Sequence, residues 1–252
     1  IGMILVATAS ADHVGFPSTA CLVQDRIGAK NAAAMDIVAG CTGFVYGLET
    51  AKGLIAGGLS KHILLIGSEI LTRIMDWSDR NTCVLFGDGA GAVLLEPSEE
   101  YGIIDAELRI DGNGGEFLKL DAGGSLMPAT HETVDNQLHY VTQDGRTVYK
   151  YAVKGMADIS YLVAKRNNLK SEDIDLFIPH QANKRIIEAV AEKLGLNESQ
   201  VMINIDRFAN TTAGTIPICI AEAVENNMLK MGDNLLLSAF GAGFSWGAIY
   251  IK

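Results

Sequence analysis

Cysteine is scarce and scattered in this chain: four residues, Cys21, Cys41, Cys83 and Cys219, among 252, with no CxxC pair. That spacing excludes a disulfide framework and a cysteine-based zinc site, and a reducing, cytoplasmic setting is expected. Three of the four lie in apolar contexts and read as buried thiols. Long apolar runs are missing too: none approaches the roughly 18 residues that a membrane span needs. Positive charge is in short supply, with 20 Lys and Arg against 30 Asp and Glu, a formal net charge of −10. A nucleic-acid partner is excluded on that count, because such binders need clustered basic surface to displace counterions from phosphates. An acidic protein partner must find a local basic patch. Histidines are few, and His131 and His139 lack metal-ligand spacing, so no metal site is expected.

What is present is a large apolar fraction, 48% of residues, enough for one wide core or two fused halves. The order of segments repeats. MILVATAS leads to the helix TACLVQDRIGAK, as DLFIP leads through HQAN to the helix KRIIEAVAEKLGLN. A second unit around Cys41 is answered by VMINIDRFANTTAGTIPICIAEAVENN, read as a strand, a turn carrying Asn210 and a helix. HILLIGSE with TCVLFGDGAGAVLLEP is answered by NLLLSAFGAGFSWGAIYIK. Strands alternating with helices over such lengths predict an α/β architecture with largely parallel sheets in two pseudo-equivalent halves. We place these at residues 1–100, carrying Cys41, and 101–252, carrying His180 and Asn210. The second half begins with GIIDAELRI, a glycine-rich loop and a helix from Val148 to about Lys165, to which nothing before MILVATAS corresponds. By that symmetry about 70 residues of opening structure are expected to precede Ile1. Between the halves, Asp111 to Tyr140 reads equally as a pocket-forming lid or a flexible linker.

Cys41 sits at the centre of this pattern. Ala32 to Val38 is a strand-like run, and Phe44, Val45, Leu48, Ala51 and Ile55 recur at helical spacing until Gly57-Gly58. Cys41 therefore falls on a strand-to-helix turn, where unpaired N–H groups and the positive end of the helix dipole favour a thiolate nucleophile. A small buried apolar thiol is the alternative. His180 and Asn210 occupy matching turns of the repeat, and strand ends of α/β sheets are where ligands bind, so the three are candidates to converge. FGDGAG precedes a strand rather than a helix, which excludes a dinucleotide-binding loop.

VAGCTGFVYGL, FGDGAGAV, PHQANKRI, ANTTAGTIP and AFGAGFSWG, in this order, resemble the beta-ketoacyl-acyl carrier protein synthase III family of thiolase-fold condensing enzymes, along the whole chain. The resemblance implies a layered αβαβα fold and an acyltransferase that condenses an acyl-CoA primer, acetyl-CoA being the expected one, with malonyl-acyl carrier protein. No cofactor is implied beyond these thioester substrates. It implies Cys41, His180 and Asn210 as catalytic residues, with His180 Nε2 and the Asn210 amide donating to the malonyl carbonyl, and backbone N–H groups of Cys41 and Ala242 as the oxyanion hole. Arg80 and Asn183 would contact CoA, and Phe16 would wall the partner subunit's acyl pocket in a homodimer, although a core phenylalanine is the default reading. Arg185, Lys150 and Lys193 would dock the carrier protein. Ala209 and Ala242 stand where the family usually has glycine, and are expected to be tolerated if the backbone there is ordinary. Glu192 stands where a basic residue is common. A chalcone-synthase-like or secondary-metabolite condensing enzyme shares Cys-His-Asn and stays open. A papain-like hydrolase lacks its expected CGSCW-type surround here, and a non-enzymatic binding module is the remaining class.

Overall fold

The computed structural model describes residues 1–252. Its first half opens with β1 (Met3–Ala7), wholly buried, followed by α1 (Thr19–Arg26), β2 (Ala33–Ile37), α2 (Gly43–Ala56), β3 (Ile63–Ile70) and β4 (Asp88–Leu95). The strands form one sheet in the order β2-β1-β3-β4, parallel except for β4. After β5 (Ile103–Ile110), the stretch 111–140 is a series of short elements rather than a plain linker. Leu118–Leu120 (β6) pairs with Val141–Gln143 (β7), and α3 (His131–Asp135) lies between them.

The second half continues with α4 (Gly145–Arg166), β8 (Leu176–Pro179), α5 (Lys184–Leu194), α6 (Ile205–Phe208), α7 (Thr215–Glu225), β9 (Leu235–Gly241) and β10 (Ser245–Ile251). Its sheet runs β5-β10-β9-β8, with β8 and β9 parallel. Helix α4 starts three residues before the Val148 that periodicity marks, because Asp144 caps it by accepting from the Arg146 and Thr147 N–H groups. The strand expected before Asn210 is reduced to a single bridge between Val201 and Phe177.

Helices α2 and α7 lie between the two sheets, α1 covers the outer face of the first, and α4 with α5 covers the outer face of the second. This is the five-layer arrangement that the resemblance implies. Helix α2 is apolar on most of its surface because it faces a sheet on either side: Phe44, Val45, Leu48 and Ala51 are buried. The core around it mixes Leu5, Ile63 and Leu65 of the first half with Leu176, Leu237 and Ile249 of the second, so the halves share one interior. Gly67 in β3 marks how tightly they meet: a Cβ there would stand 2.1 Å from the Ala213 carbonyl oxygen. No helix is long and apolar enough to cross a membrane. Of the cysteines, Cys41 and Cys219 are buried, whereas Cys21 is exposed and Cys83 half-buried. The apolar neighbours of Cys21 belong to an outer-layer helix whose solvent face it occupies.

Candidate active site

A cavity of about 440 Å³ is lined by Cys41, His180 and Asn210 together. Cys41 lies in a 3-10 turn, Gly40–Thr42, that runs directly into α2. The turn is tied to the second half through the Thr42 and Ser245 hydroxyls, 2.8 Å apart. Burial and the charge of Glu69 push the Cys41 thiol well above the ordinary range, and its own backbone N–H offsets only part of this. The helix end alone therefore does not produce a resting thiolate, contrary to the expectation from the turn: desolvation of the charged form outweighs the dipole.

His180 follows Pro179 at the end of β8. Its N–H donates to the Ser238 carbonyl at 2.7 Å. Next to it, buried Gln181 donates to the Pro179 and Met202 carbonyls at 2.9 and 3.1 Å, fixing the strand end. The ring is fully buried and burial pushes its pKa down to about 3, so it is neutral. Nδ1 lies 2.8 Å from Thr215 Oγ1, and Nε2 has no partner.

Asn210 is clamped across the junction: its N–H donates to the Leu85 carbonyl at 2.9 Å, and its own carbonyl accepts from Gly87 N–H at 3.0 Å. The side-chain oxygen accepts from Thr212 N–H at 2.9 Å, which leaves the Nδ2 hydrogens as donors. The turn is strained, with φ +57° at Ala209 and +42° at Thr212. With ψ −166°, Ala209 sits in a region that only glycine adopts freely. The backbone there is not ordinary, so Ala209 is a costlier departure than the sequence reading expects. Ala242 is not among the residues of positive φ and carries no such cost.

Glu69 is the buried carboxylate of the site. It accepts from Ala9 N–H at 3.0 Å and from the Ser10 hydroxyl at 2.6 Å, and it faces Thr212 and Ala213. Its burial raises its own pKa, opposed by those hydrogen bonds. The remaining sequence candidates are distributed unevenly. Asn183 and Arg185 line the cavity; Asn183 caps α5 by accepting from Arg185 N–H at 2.9 Å. Lys150 lines a neighbouring groove of about 720 Å³, and Lys193 is exposed on α5. Neither Arg80 nor Phe16 lines the cavity. Phe16 is 86% exposed, so the default reading as a core residue is wrong: its loop projects from the first half. Sequence reasoning missed Arg146 and Tyr149 on α4, which line the cavity, and Thr215 behind His180. A basic residue in the first turn of a capped helix gives no signal in the sequence alone.

Two related α/β halves in five layers, with a deep cavity at their junction, define a thiolase-fold condensing enzyme. Family models described as 3-oxoacyl-[acyl-carrier-protein (ACP)] synthase III and its C-terminal part match residues 35–112 and 164–252. A beta-ketoacyl-[acyl-carrier-protein] synthase III of Chlorobium luteolum is 53% identical, over 99% of this chain and 77% of that relative. Among solved structures, the 3-oxoacyl-[acyl-carrier-protein] synthase III of Aquifex aeolicus superposes with a TM-score of 0.91 at 40% identity, over 99% of this chain and 76% of that one. That of Thermus thermophilus gives 0.91 at 39%, over 100% and 77%. The chain belongs to the beta-ketoacyl-acyl carrier protein synthase III family, acyltransferases that initiate fatty-acid synthesis.

Two outcomes follow from the geometry. Ala209→Gly relieves the strained φ and is expected to stabilise the fold by about 1 kcal/mol, the strain released less the added chain entropy of glycine; denaturant unfolding measures it, and a destabilisation contradicts it. Alkylation of Cys41 by iodoacetamide in the free protein is expected to climb with pH beyond about 9, the ordinary thiol range. In Glu69→Gln, which removes one cause of the raised pKa, the profile moves to lower pH. Intact-mass kinetics across the pH series report both, and a wild-type plateau below about pH 8 contradicts the direction.

Proposed function

We propose that Cys41, His180 and Asn210 carry out a decarboxylative Claisen condensation of an acyl-CoA primer, acetyl-CoA in particular, with malonyl-acyl carrier protein. The observation that carries this reading is their position on the walls of one cavity. Cys41 sulfur attacks the primer thioester and holds the acyl group. Backbone N–H groups of Cys41 and Ala242 receive the oxyanion: the Ala242 N–H makes no backbone hydrogen bond, and a Cβ on Gly40 would stand 3.6 Å from it, so the two turns are in contact. The malonyl thioester then enters, and a proton on His180 Nε2 together with Asn210 Nδ2 holds the carbonyl oxygen while carbon dioxide leaves. The resulting enolate attacks the acyl-cysteine.

The cavity mouth suits phosphate-bearing thioesters. Arg146 and Arg185 stand in the first turns of α4 and α5, where the helix dipoles add to their charge, and neither is in an ion pair. Asn183 lies beside them, and Arg80 is our candidate for the adenine. Lys150 in the adjoining groove, Arg185 and Lys193 extend the basic surface on a protein of net charge −10, which supports docking of an acidic carrier protein there. We place the active form in the cytoplasm as a homodimer. In support, β2 is a sheet edge, and Val14, Phe16 and Val38 near it are 85%, 86% and 78% exposed.

Mixing the protein with a panel of acyl-CoAs and weighing it intact is the direct test. A single acyl addition lost in Cys41→Ser is expected; no addition with any primer ends the proposal. Asn210→Ala is expected to acylate normally and to condense about 10²- to 10³-fold more slowly, the loss of one oxyanion donor. Unchanged condensation removes Asn210 from this role. Arg185→Glu is expected to raise KM for malonyl-carrier protein while sparing acylation by acyl-CoA, and equal losses in both steps contradict a docking role.

A further inference from the structure

The imidazole of His180 has one nitrogen tied and one bare. Nδ1 contacts Thr215 Oγ1 at 2.8 Å, and that hydroxyl donates to the Thr212 carbonyl oxygen at 2.9 Å. The carbonyl is a fixed anchor, since it also accepts the Thr215 N–H that closes the turn into α7. A hydroxyl has a single hydrogen to give. With that hydrogen committed to Thr212, the short contact to the ring is an Nδ1–H donating to a lone pair of Thr215. A neutral ring then carries no hydrogen on Nε2, the buried, unpartnered nitrogen of a residue that lines the cavity. We infer that Thr215 is a positioning residue for the condensation: it holds His180 in the Nδ1–H tautomer, so that Nε2 is the one ring nitrogen that takes and releases a proton in the cavity.

This rests on the condensing role proposed for Cys41, His180 and Asn210, and it assigns the proton within it. As Cys41 sulfur bonds to the acyl carbon, its S–H bond breaks and the proton passes to Nε2. When the bond from acyl carbon to the CoA sulfur breaks, that sulfur leaves with the proton as a thiol. In the second half-reaction the malonyl carboxylate enters and one proton from solvent goes onto Nε2, so that anion and imidazolium share the hollow. Loss of carbon dioxide leaves the bonding pair as an enolate, held by Nε2–H and Asn210 Nδ2. The enolate carbon bonds to the acyl carbon, the acyl–Cys41 bond breaks, and the sulfur takes the proton back from Nε2. One solvent proton is consumed per turnover, matching the carboxylate lost as carbon dioxide. Burial, which holds the ring neutral in the free protein, keeps Nε2 bare until an anion arrives. Thr215 holds the ring in the one tautomer that makes this possible, because a ring locked as Nε2–H has no lone pair for the Cys41 proton.

The test is nitrogen NMR of the full chain with 15N-labelled histidine, the His180 signals being those missing from His180→Asn. A bare, pyridine-type Nε2 and a protonated, pyrrole-type Nδ1 are expected at neutral pH. Thr215→Val is expected to lose that preference and to condense about 10- to 100-fold more slowly, less than the ~10⁴-fold penalty of a mis-set tautomer in a Ser-His-Asp triad. Thr215→Ser, which keeps the hydroxyl, is expected to retain both the tautomer and the rate. A wild-type ring protonated on Nε2, in an enzyme that still condenses, overturns the role of Thr215 alone. So does Thr215→Val with wild-type tautomer and rate. A Cys41 that no acyl-CoA labels overturns the condensing role and this inference with it. If Thr215→Val does not fold, the wild-type spectrum decides.

Discussion

The cavity depends on how closely two backbones approach at the junction of the halves. Gly241, the last residue of β9, lies over the Cys41 turn so tightly that a Cβ on it would stand 2.8 Å from Cys41 nitrogen. A side chain there would drive the turn, and the sulfur with it, away from β9. The same approach brings Gly40 against Ala242, so the two N–H groups proposed as the oxyanion hole come from opposite halves. A site assembled this way is held by the packed interior on either side of it, which deforms little. Its precision comes from the sheets and from α2, not from the loops that reach the surface.

Such an approach buries polar groups, and the structure satisfies most of them with hydrogen bonds on either side of the junction. Glu69 of β3 holds the chain leaving β1 through Ala9 and Ser10 and faces the Thr212–Ala213 turn. Gln181 accepts from Asn204 N–H at 3.0 Å, and Asn204 donates to Glu222 at 2.9 Å, so a line of hydrogen bonds runs from beside His180 to α7. Three of the six exceptions lie at the site, where His180 Nε2 and the Thr211 and Thr212 hydroxyls are buried without partners; the others are His139 Nδ1, Gln143 Oε1 and Ser160 Oγ. The strained φ values at Ala209 and Thr212 flank Asn210 in the same place. Strain and unpartnered polar atoms concentrated on either side of Asn210 are what a functional site imposes on a fold.

The layered fold was legible because its segments keep clean periods. The helical spacing after Cys41, the buried strands MILVA and LLLSAFG, and the repeat order predict the elements that are observed. The convergence of Cys41, His180 and Asn210 was legible as three equivalent turns. Less was visible where tertiary contacts decide. Val201 pairs at only one residue, since its segment bends at once into the α6 turn that leads to Asn210. Phe16 reads as core by composition, but its loop leads away from the sheet. Thr215 reads as an ordinary first-turn residue of α7, because nothing local says that an imidazole lies behind it. Ala209 is a one-methyl change whose cost exists only at φ +57°.

The suppressed ionisation of Cys41 is the remaining tension, since a nucleophile is expected to be a thiolate. The two fit once the cavity is taken as dry. The desolvation that suppresses the thiolate also raises the worth of every N–H aimed at a developing oxyanion, because fixed donors in a low-dielectric site need not reorganise as charge appears. A resting thiol is shielded from electrophiles and oxidants, which react with thiolates. In the proposed mechanism it becomes a nucleophile only as a thioester carbonyl arrives to receive the charge and His180 Nε2 takes its proton. The Glu69 carboxylate, by opposing ionisation at rest, acts in the same direction as burial, and under the proposed mechanism the two together confine reactive sulfur to the interval in which substrate is bound.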